Sequence, residues 1–312
     1  MFGKFMHNYY YGKSGKGDYT KEDLPTTRWQ LFWEMLRVRL SNLCRLNLMY
    51  MVIWLPAIIV LMIGATSIFT SLIGEDGAIV ENAPALLQSI IQLTLILLIP
   101  CIFITGIATP GVAYVTRNWS RDEHAFIWSD FKDAVKANWK QGLVVSLVTS
   151  ILPLAVYTGW GVYGDMAENS AVMLVPQVLV LMVGLLWSLA VTYMYPLMVS
   201  YELKLKDLMR NAFLLAVARL PMSVGIRLLH CVPVLIAVGL AFLVNPIYCM
   251  MGLFFYYALF GFAFSRFITA SYTNAVFDKY INSQIAGAVV NRGMNTEVDD
   301  EEDNEEEDPE QE

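Results

Sequence analysis

Charge is scarce in this chain. Only 16% of its 312 residues are Asp, Glu, Lys or Arg, against 56% hydrophobic, where a soluble domain carries about 25% charged residues. That balance excludes a soluble globular protein and predicts an integral membrane protein, with the lipid bilayer as its first partner. Histidine is rarer still, limited to His7, His124 and His230. There is no HExxH, no G-x-S-x-G and no pair of carboxylates inside an apolar run, so the usual signatures of hydrolytic and metal-dependent catalysis are missing. The expectation is a protein that is not an enzyme, with no cofactor, no metal and no nucleic-acid partner. Cys44, Cys101, Cys231 and Cys249 sit in or beside apolar runs without CxxC spacing, which argues against a zinc site or a disulfide framework. The stretch from Met1 to Pro25 is polar and the first apolar run begins near Leu46, so no secretory signal peptide is expected and the N-terminus is expected to stay.

What the chain does have is long apolar runs. A spanning helix needs about 20 mostly apolar residues. Six stretches reach that length, at about 46–73, 85–116, 141–163, 171–201, 222–244 and 247–275. The fold class expected is therefore an all-α membrane protein with six transmembrane helices over residues 28–280. A flexible cytoplasmic arm (1–27) precedes it and a disordered acidic cytoplasmic tail (281–312) follows. Pro56, Pro100, Pro153, Pro176 and Pro233 fall inside the runs and predict kinks. Gly12-Lys13-Ser14 has no glycine five residues before it and no preceding strand, so it is not read as a phosphate loop.

The second absence is directional. All 21 Lys and Arg lie before the first run, between the second and third, between the fourth and the body of the fifth, or from Arg266 onward. The three opposite connections hold Glu75, Asp76 and Glu81, then Asp165 and Glu168, then the uncharged Asn245-Pro246. By the positive-inside rule both termini are expected in the cytoplasm of a multi-pass cell-membrane protein. The formal net charge of −7 hides this segregation, because 12 of the 16 residues from Glu297 to Glu312 are acidic.

Basic amphipathic segments precede the first, third and fifth runs: residues 28–45, 117–143 and 206–221. The middle one carries Trp128, Phe131, Val135 and Trp139 at helical spacing along one stripe, the pattern of a helix lying on a membrane surface. Each segment leads into a run with a proline, and a second run returns the chain. Three tandem units of surface helix plus spanning hairpin would produce this pattern, and so would any set of hairpins. Both readings stand at the level of sequence.

NLMYMVIWLP (47–56), Thr109-Pro110-Gly111 with Tyr114, RDEHAFIWSDFKDAVKANWKQ from Arg121 and YPLMVSYELKLKDLMRNAFLLA from Tyr195 together resemble the YesL-like family of bacterial membrane proteins, over most of residues 28–280. The resemblance implies no assigned activity. It implies an accessory role near carbohydrate transport, with a sugar ABC transporter as the partner. The arm and the acidic tail fall outside it.

Three groups of residues invite a site. Asp122, Glu123 and His124 with Asp130 and Asp133 resemble a metal cluster. However, Ser120-x-x-Glu123 fits a capping box ahead of Ala125, and the two aspartates suit the first turn of the next helix. Arg227 and His230 share a helix face inside an apolar run, and an ionisable residue at that depth is a functional candidate by default. The competing reading is an arginine reaching phosphates and a neutral histidine hydrogen-bonded in the bundle. Gln88 and Gln92 stand one turn apart and would line a polar cavity or bond across helices. Two functions follow from these readings. The first is a non-enzymatic membrane component, an accessory or scaffold for carbohydrate uptake or envelope sensing, docking a partner through Trp128, Phe131, Val135 and Trp139. The alternative is a small transporter or channel with a polar lumen near Arg227 and His230.

Overall fold

The computed structural model describes residues 24–71, 81–241 and 243–295. Among these no strand occurs. The helices are α1 (Arg28–Ser71), α2 (Ala83–Trp119), α3 (Ser129–Ala167), α4 (Leu174–Ser200), α5 (Leu205–Ala218), α6 (Leu220–Ala241), α7 (Pro246–Tyr256) and α8 (Phe262–Tyr280), with a single π turn, Tyr257–Gly261, joining α7 to α8. Among the described residues six helical segments are long and apolar enough to cross a membrane, in the places the apolar runs predict.

The first two basic segments are not separate surface helices. α1 has 44 residues and α3 has 39, or about 66 and 58 Å at 1.5 Å per residue, against a hydrocarbon core of about 30 Å. Nothing between Arg28 and Leu46, or between Ser129 and Gln141, breaks the backbone ladder, so each amphipathic segment continues into its span. Only the third unit keeps a separate amphipathic helix, α5, because the helix ends at Arg219 before Pro221. Helices run on through Pro56, Pro100, Pro110, Pro153, Pro196 and Pro233. Pro176 lies in the first turn of α4, where no hydrogen bond is lost.

Two further expectations are revised. Ser120 ends α2 rather than starting a helix. Its hydroxyl donates to the Arg117 carbonyl at 2.8 Å and accepts from Asn274 at 2.7 Å, and Ala125 lies in the non-helical connection between α2 and α3. The chain also stays packed beyond 280. Asp278 pairs with Arg28 at 2.6 Å and accepts the Asn291 N–H at 3.2 Å, while the Asn295 N–H donates to the Pro25 carbonyl at 3.0 Å. The start of the bundle and the segment after α8 are thus tied together. Gly12-Lys13-Ser14, Glu75, Asp76 and the acidic run from Glu297 lie outside the described residues.

Packing concentrates at the basic end, where Arg28, Arg117, Lys132 and Lys204 lie. Buried side chains cluster on α1 from Leu31 to Tyr50, on α2 from Thr105 to Trp119, on α4 from Trp187 to Met198 and on α8 from Ala263 to Asp278. α2 is the hub, touching α1, α3, α4 and α8. It meets α3 backbone to backbone at Gly106 and Gly142. A Cβ on either glycine would run into the other's carbonyl oxygen, and Ser146 donates across the crossing to the Phe103 carbonyl at 2.7 Å. A little over one turn further along, Gly111 admits the ring of Phe131. Small residues that let helices approach this closely supply the packing attraction that lipid does not oppose.

The first and last spans are joined by Asn47, which is fully buried. The π turn leaves backbone groups of residues 257, 258 and 263 without ordinary helical partners. Asn47 Nδ2 donates to the carbonyls of Tyr257 and Ala258 at 2.9 and 2.7 Å, and its Oδ1 accepts the Ala263 N–H at 2.9 Å. One amide side chain satisfies three backbone groups of the last span.

Gly106→Ala should destabilise the protein by about 1–3 kcal/mol or more, because the added methyl meets backbone that cannot move aside. Gly225→Ala, where a Cβ meets nothing within 4 Å, should be neutral or slightly stabilising. Thermal unfolding in detergent would compare the two, and equal melting temperatures would remove the crossing from the account.

Candidate functional site

α6 is held by polar contacts rather than by a core. Ser223 is its one buried residue, and Leu228, Leu235 and Ile236 are each more than half exposed. Arg227 and His230 both point inward, but to different neighbours. Arg227 Nη2 donates to the Ser188 carbonyl and, at 2.9 Å, to the Thr192 hydroxyl, both on α4. His230 Nε2 lies 3.0 Å from the Ser265 carbonyl and 3.3 Å from the Thr269 hydroxyl on α8. A three-residue step turns a helix by about 300°, so the two side chains diverge by about 60° and straddle the α4–α8 seam. Below them the Tyr193 hydroxyl joins Ser223 at 2.7 Å and Tyr272 at 2.8 Å, linking α4, α6 and α8.

Beside this seam, α2, α3 and α4 enclose a groove of about 650 Å³ lined by Leu95, Leu152, Trp160, Leu181 and Trp187, with Arg227 at the end nearer the basic side. Its walls are almost wholly apolar. The Trp187 indole N–H donates to Thr149 at 3.0 Å and adds no free polarity. Arg227 Nε has no hydrogen-bond partner, and no carboxylate stands within ion-pair distance of Arg227 among the described residues. The groove therefore ends at a cation with spare donor capacity in a low-dielectric setting, where an unpaired charge is costly.

Gln88 and Gln92 do not join this site. Both are exposed on the outer half of α2, and neither side chain hydrogen-bonds to another described residue. The aromatic stripe is split as well. Phe131 is buried against Gly111 and Val135 packs beside it, whereas Trp128 and Trp139 remain 66% and 42% exposed. Helical spacing places all four on one side, but the segment crosses α2 instead of lying flat on a surface, so the inner part of the stripe becomes core. No group of three His, Cys, Asp or Glu side chains gathers among the described residues. Asp130 accepts the Phe126 N–H at 2.9 Å at the start of α3, and Glu123 pairs with Arg121 and Arg292. Asp122 takes a positive φ of 56° and burial raises its carboxyl pKa.

Asn47 is the member of the bundle's polar network that sequence reading leaves unweighed. An Asn at the head of an apolar run is a signal for a buried amide, but nothing in the local pattern announces the π turn it serves in the last span.

If His230 acts as a bridge between α6 and α8, His230→Gln keeps a donor for the Ser265 carbonyl and should leave the melting temperature close to wild type. His230→Leu should cost about 1 kcal/mol, as interhelical hydrogen bonds in membranes do. Equal losses in both variants would mean that the imidazole itself is required.

The family described as "Protein of unknown function, DUF624" matches residues 86–160, which run from the first turns of α2 through the connection and most of α3. No curated protein and no solved structure matches the chain. The protein is thus a six-span helical membrane protein whose tightest hairpin, crossed at Gly106 and Gly142, is similar to a family without an assigned activity.

Proposed function

We propose that this protein is a non-enzymatic membrane component that works by holding a transmembrane segment of a second membrane protein in the groove between α2, α3 and α4. The observation that carries this reading is the pairing of an apolar groove with one under-satisfied cation, Arg227, at its end. A hydrophilic solute gains nothing from such walls. A partner helix fills them with side chains and brings a carboxylate or carbonyl to Arg227, relieving an unpaired charge. The exposed indoles of Trp128 and Trp139 at the basic end extend the contact beyond the bilayer, since aromatic anchors are enriched where proteins dock. The resemblance to the YesL-like family supports placing this role beside carbohydrate uptake, with the membrane subunits of a sugar ABC transporter as the partner. The segregation of Lys and Arg supports a cell-membrane location with both termini in the cytoplasm.

The transporter reading draws on Arg227 and His230 alone. Both are engaged by α4 and α8, and Gln88 and Gln92 are exposed and are not among the residues lining the groove beside Arg227.

Leu181→Trp, which fills the groove, should leave the yield of folded protein unchanged and sharply reduce the partner recovered from native membranes by affinity purification. Purified wild type in vesicles should move monosaccharides no faster than empty vesicles. Saturable flux abolished by Arg227→Gln would establish the transporter instead. In a cysteine-free background, Asp165→Cys should react with an impermeant thiol reagent in whole cells and Lys136→Cys should not. Reaction at position 136 from outside would invert the orientation.

A further inference from the structure

At the basic end, away from the groove, the chain builds a second cavity of about 180 Å³ between the ends of α2, α4 and α8 and the segment that follows α8. Its walls include Arg117, Arg121, Arg292, Ser200, Tyr201 and Asn274. Arg117 and Arg121 project from the last turn of α2 and the residues just after it, and Arg292 reaches in from the turn set by Asn291, whose φ is 59°. Three guanidinium groups thus come together from two segments that are far apart in the sequence.

The charges around the cavity do not cancel. Glu123 serves both Arg121, at 3.9 Å, and Arg292. Arg117 has no carboxylate within ion-pair distance among the described residues, and its Nη1 donates to the neutral Asn118 side chain at 3.1 Å. The nearby Asp278 is already engaged by Arg28 at 2.6 Å and by Asn282 at 2.6 Å. Two positive charges remain in excess. Donors are also left over: Arg117 Nε, Arg121 Nε and Ser200 Oγ are buried and without hydrogen-bond partners, and all three residues line this one cavity. Burial and the Asp278 carboxylate push the Tyr201 phenol up to about 12, so Tyr201 stays neutral and donates to Asn282 at 2.7 Å.

We infer that this cavity binds a phosphate group. An arginine fork matches phosphate oxygens two at a time. An excess of two charges matches the dianion of a phosphate monoester, and a diester, with one charge, would neutralise half of it. A whole small-molecule ligand occupies about 300 Å³ or more, so the cavity takes the phosphate and leaves the rest of its carrier outside. Two carriers share this chemistry, an anionic lipid headgroup meeting the basic end and a soluble phosphate ester reaching the half-exposed Arg292. The site depends on α2, α4, α8 and the 285–292 segment together, so occupancy would fasten the chain's end to the family-matched hairpin.

The test uses full-length protein in neutral detergent and in nanodiscs. Inorganic phosphate should raise the melting temperature above chloride at matched ionic strength, or nanodiscs containing phosphatidylglycerol should do so above phosphatidylcholine alone. Stabilisation by lipid only assigns the headgroup, and stabilisation by inorganic phosphate only assigns a soluble ester. Arg292→Gln, at a half-exposed position, should raise the ligand concentration needed for the same stabilisation about tenfold, the usual cost of one hydrogen bond to a charged group. Arg117→Gln should abolish it, and the exposed Arg210→Gln should leave it intact. Absence of stabilisation by both phosphate and anionic lipid overturns the proposal, as does an equal loss in Arg210→Gln and Arg292→Gln.

Discussion

The hydrophobic effect operates only where there is water to leave, and that constraint decides where this molecule has a core. Inside hydrocarbon an apolar side chain gains little by exchanging lipid for protein. Outside it, burying a Leu or Phe stabilises by about 1.5–3 kcal/mol. α1 and α3, at 44 and 39 residues, are about twice the roughly 20 residues a bilayer needs, and the excess lies at the basic end. Leu31, Met35, Leu43, Val115, Trp119, Phe131, Leu208 and Phe277, all buried, belong to those overruns, to α5, or to the adjoining ends of α2 and α8. Much of the core is built where water drives it, continuing into the adjoining halves of α4 and α8, and the outer halves of the spans are left with exposed apolar faces.

Within the bilayer, backbone contact and hydrogen bonds have to do what burial does outside. The Gly106–Gly142 crossing supplies contact. Asn47, the Tyr193–Ser223–Tyr272 chain, Trp187 with Thr149, and the Arg227 and His230 bridges supply polar ties. α6 shows the difference most plainly. Ser223 is its one fully buried residue, and polar side chains supply most of its ties to α4 and α8. A partner helix entering the neighbouring groove would meet the one cation of that fastening whose donors are not used up.

Much of the fold is legible in the sequence because its signals are long and one-dimensional. Runs long enough to cross a bilayer, and basic residues confined to alternate connections, need no knowledge of contacts. Signals that depend on a distant partner are not legible. Ser120 and Glu123 have the spacing of a capping box, yet Asn274 and Arg292 claim their side chains from the other end of the chain. Phe131 shares a stripe with Trp128 and Trp139, but the gap left by Gly111 on another helix buries it. The basic segments read as surface helices because amphipathicity does not say whether a helix stops at the membrane or continues through it. Arg227 and His230 are visible as candidates, and the structure adds that each has a hydrogen-bonding partner. The cluster of Arg117, Arg121 and Arg292 is invisible as a cluster, since only the packing of the segment after α8 brings its members together.

The central claim is that the groove beside Arg227 receives a membrane helix from another protein, and it is tested most directly by photocrosslinking in native membranes. A photoreactive amino acid in place of Leu181, on the groove wall, should yield on irradiation one discrete protein adduct, and Leu95→Trp on the opposite wall in the same chain should abolish it. The same probe in place of Leu235, on the lipid-facing side of α6, should yield none. Lipid-sized adducts alone at position 181, or identical protein adducts at both positions, would contradict the account.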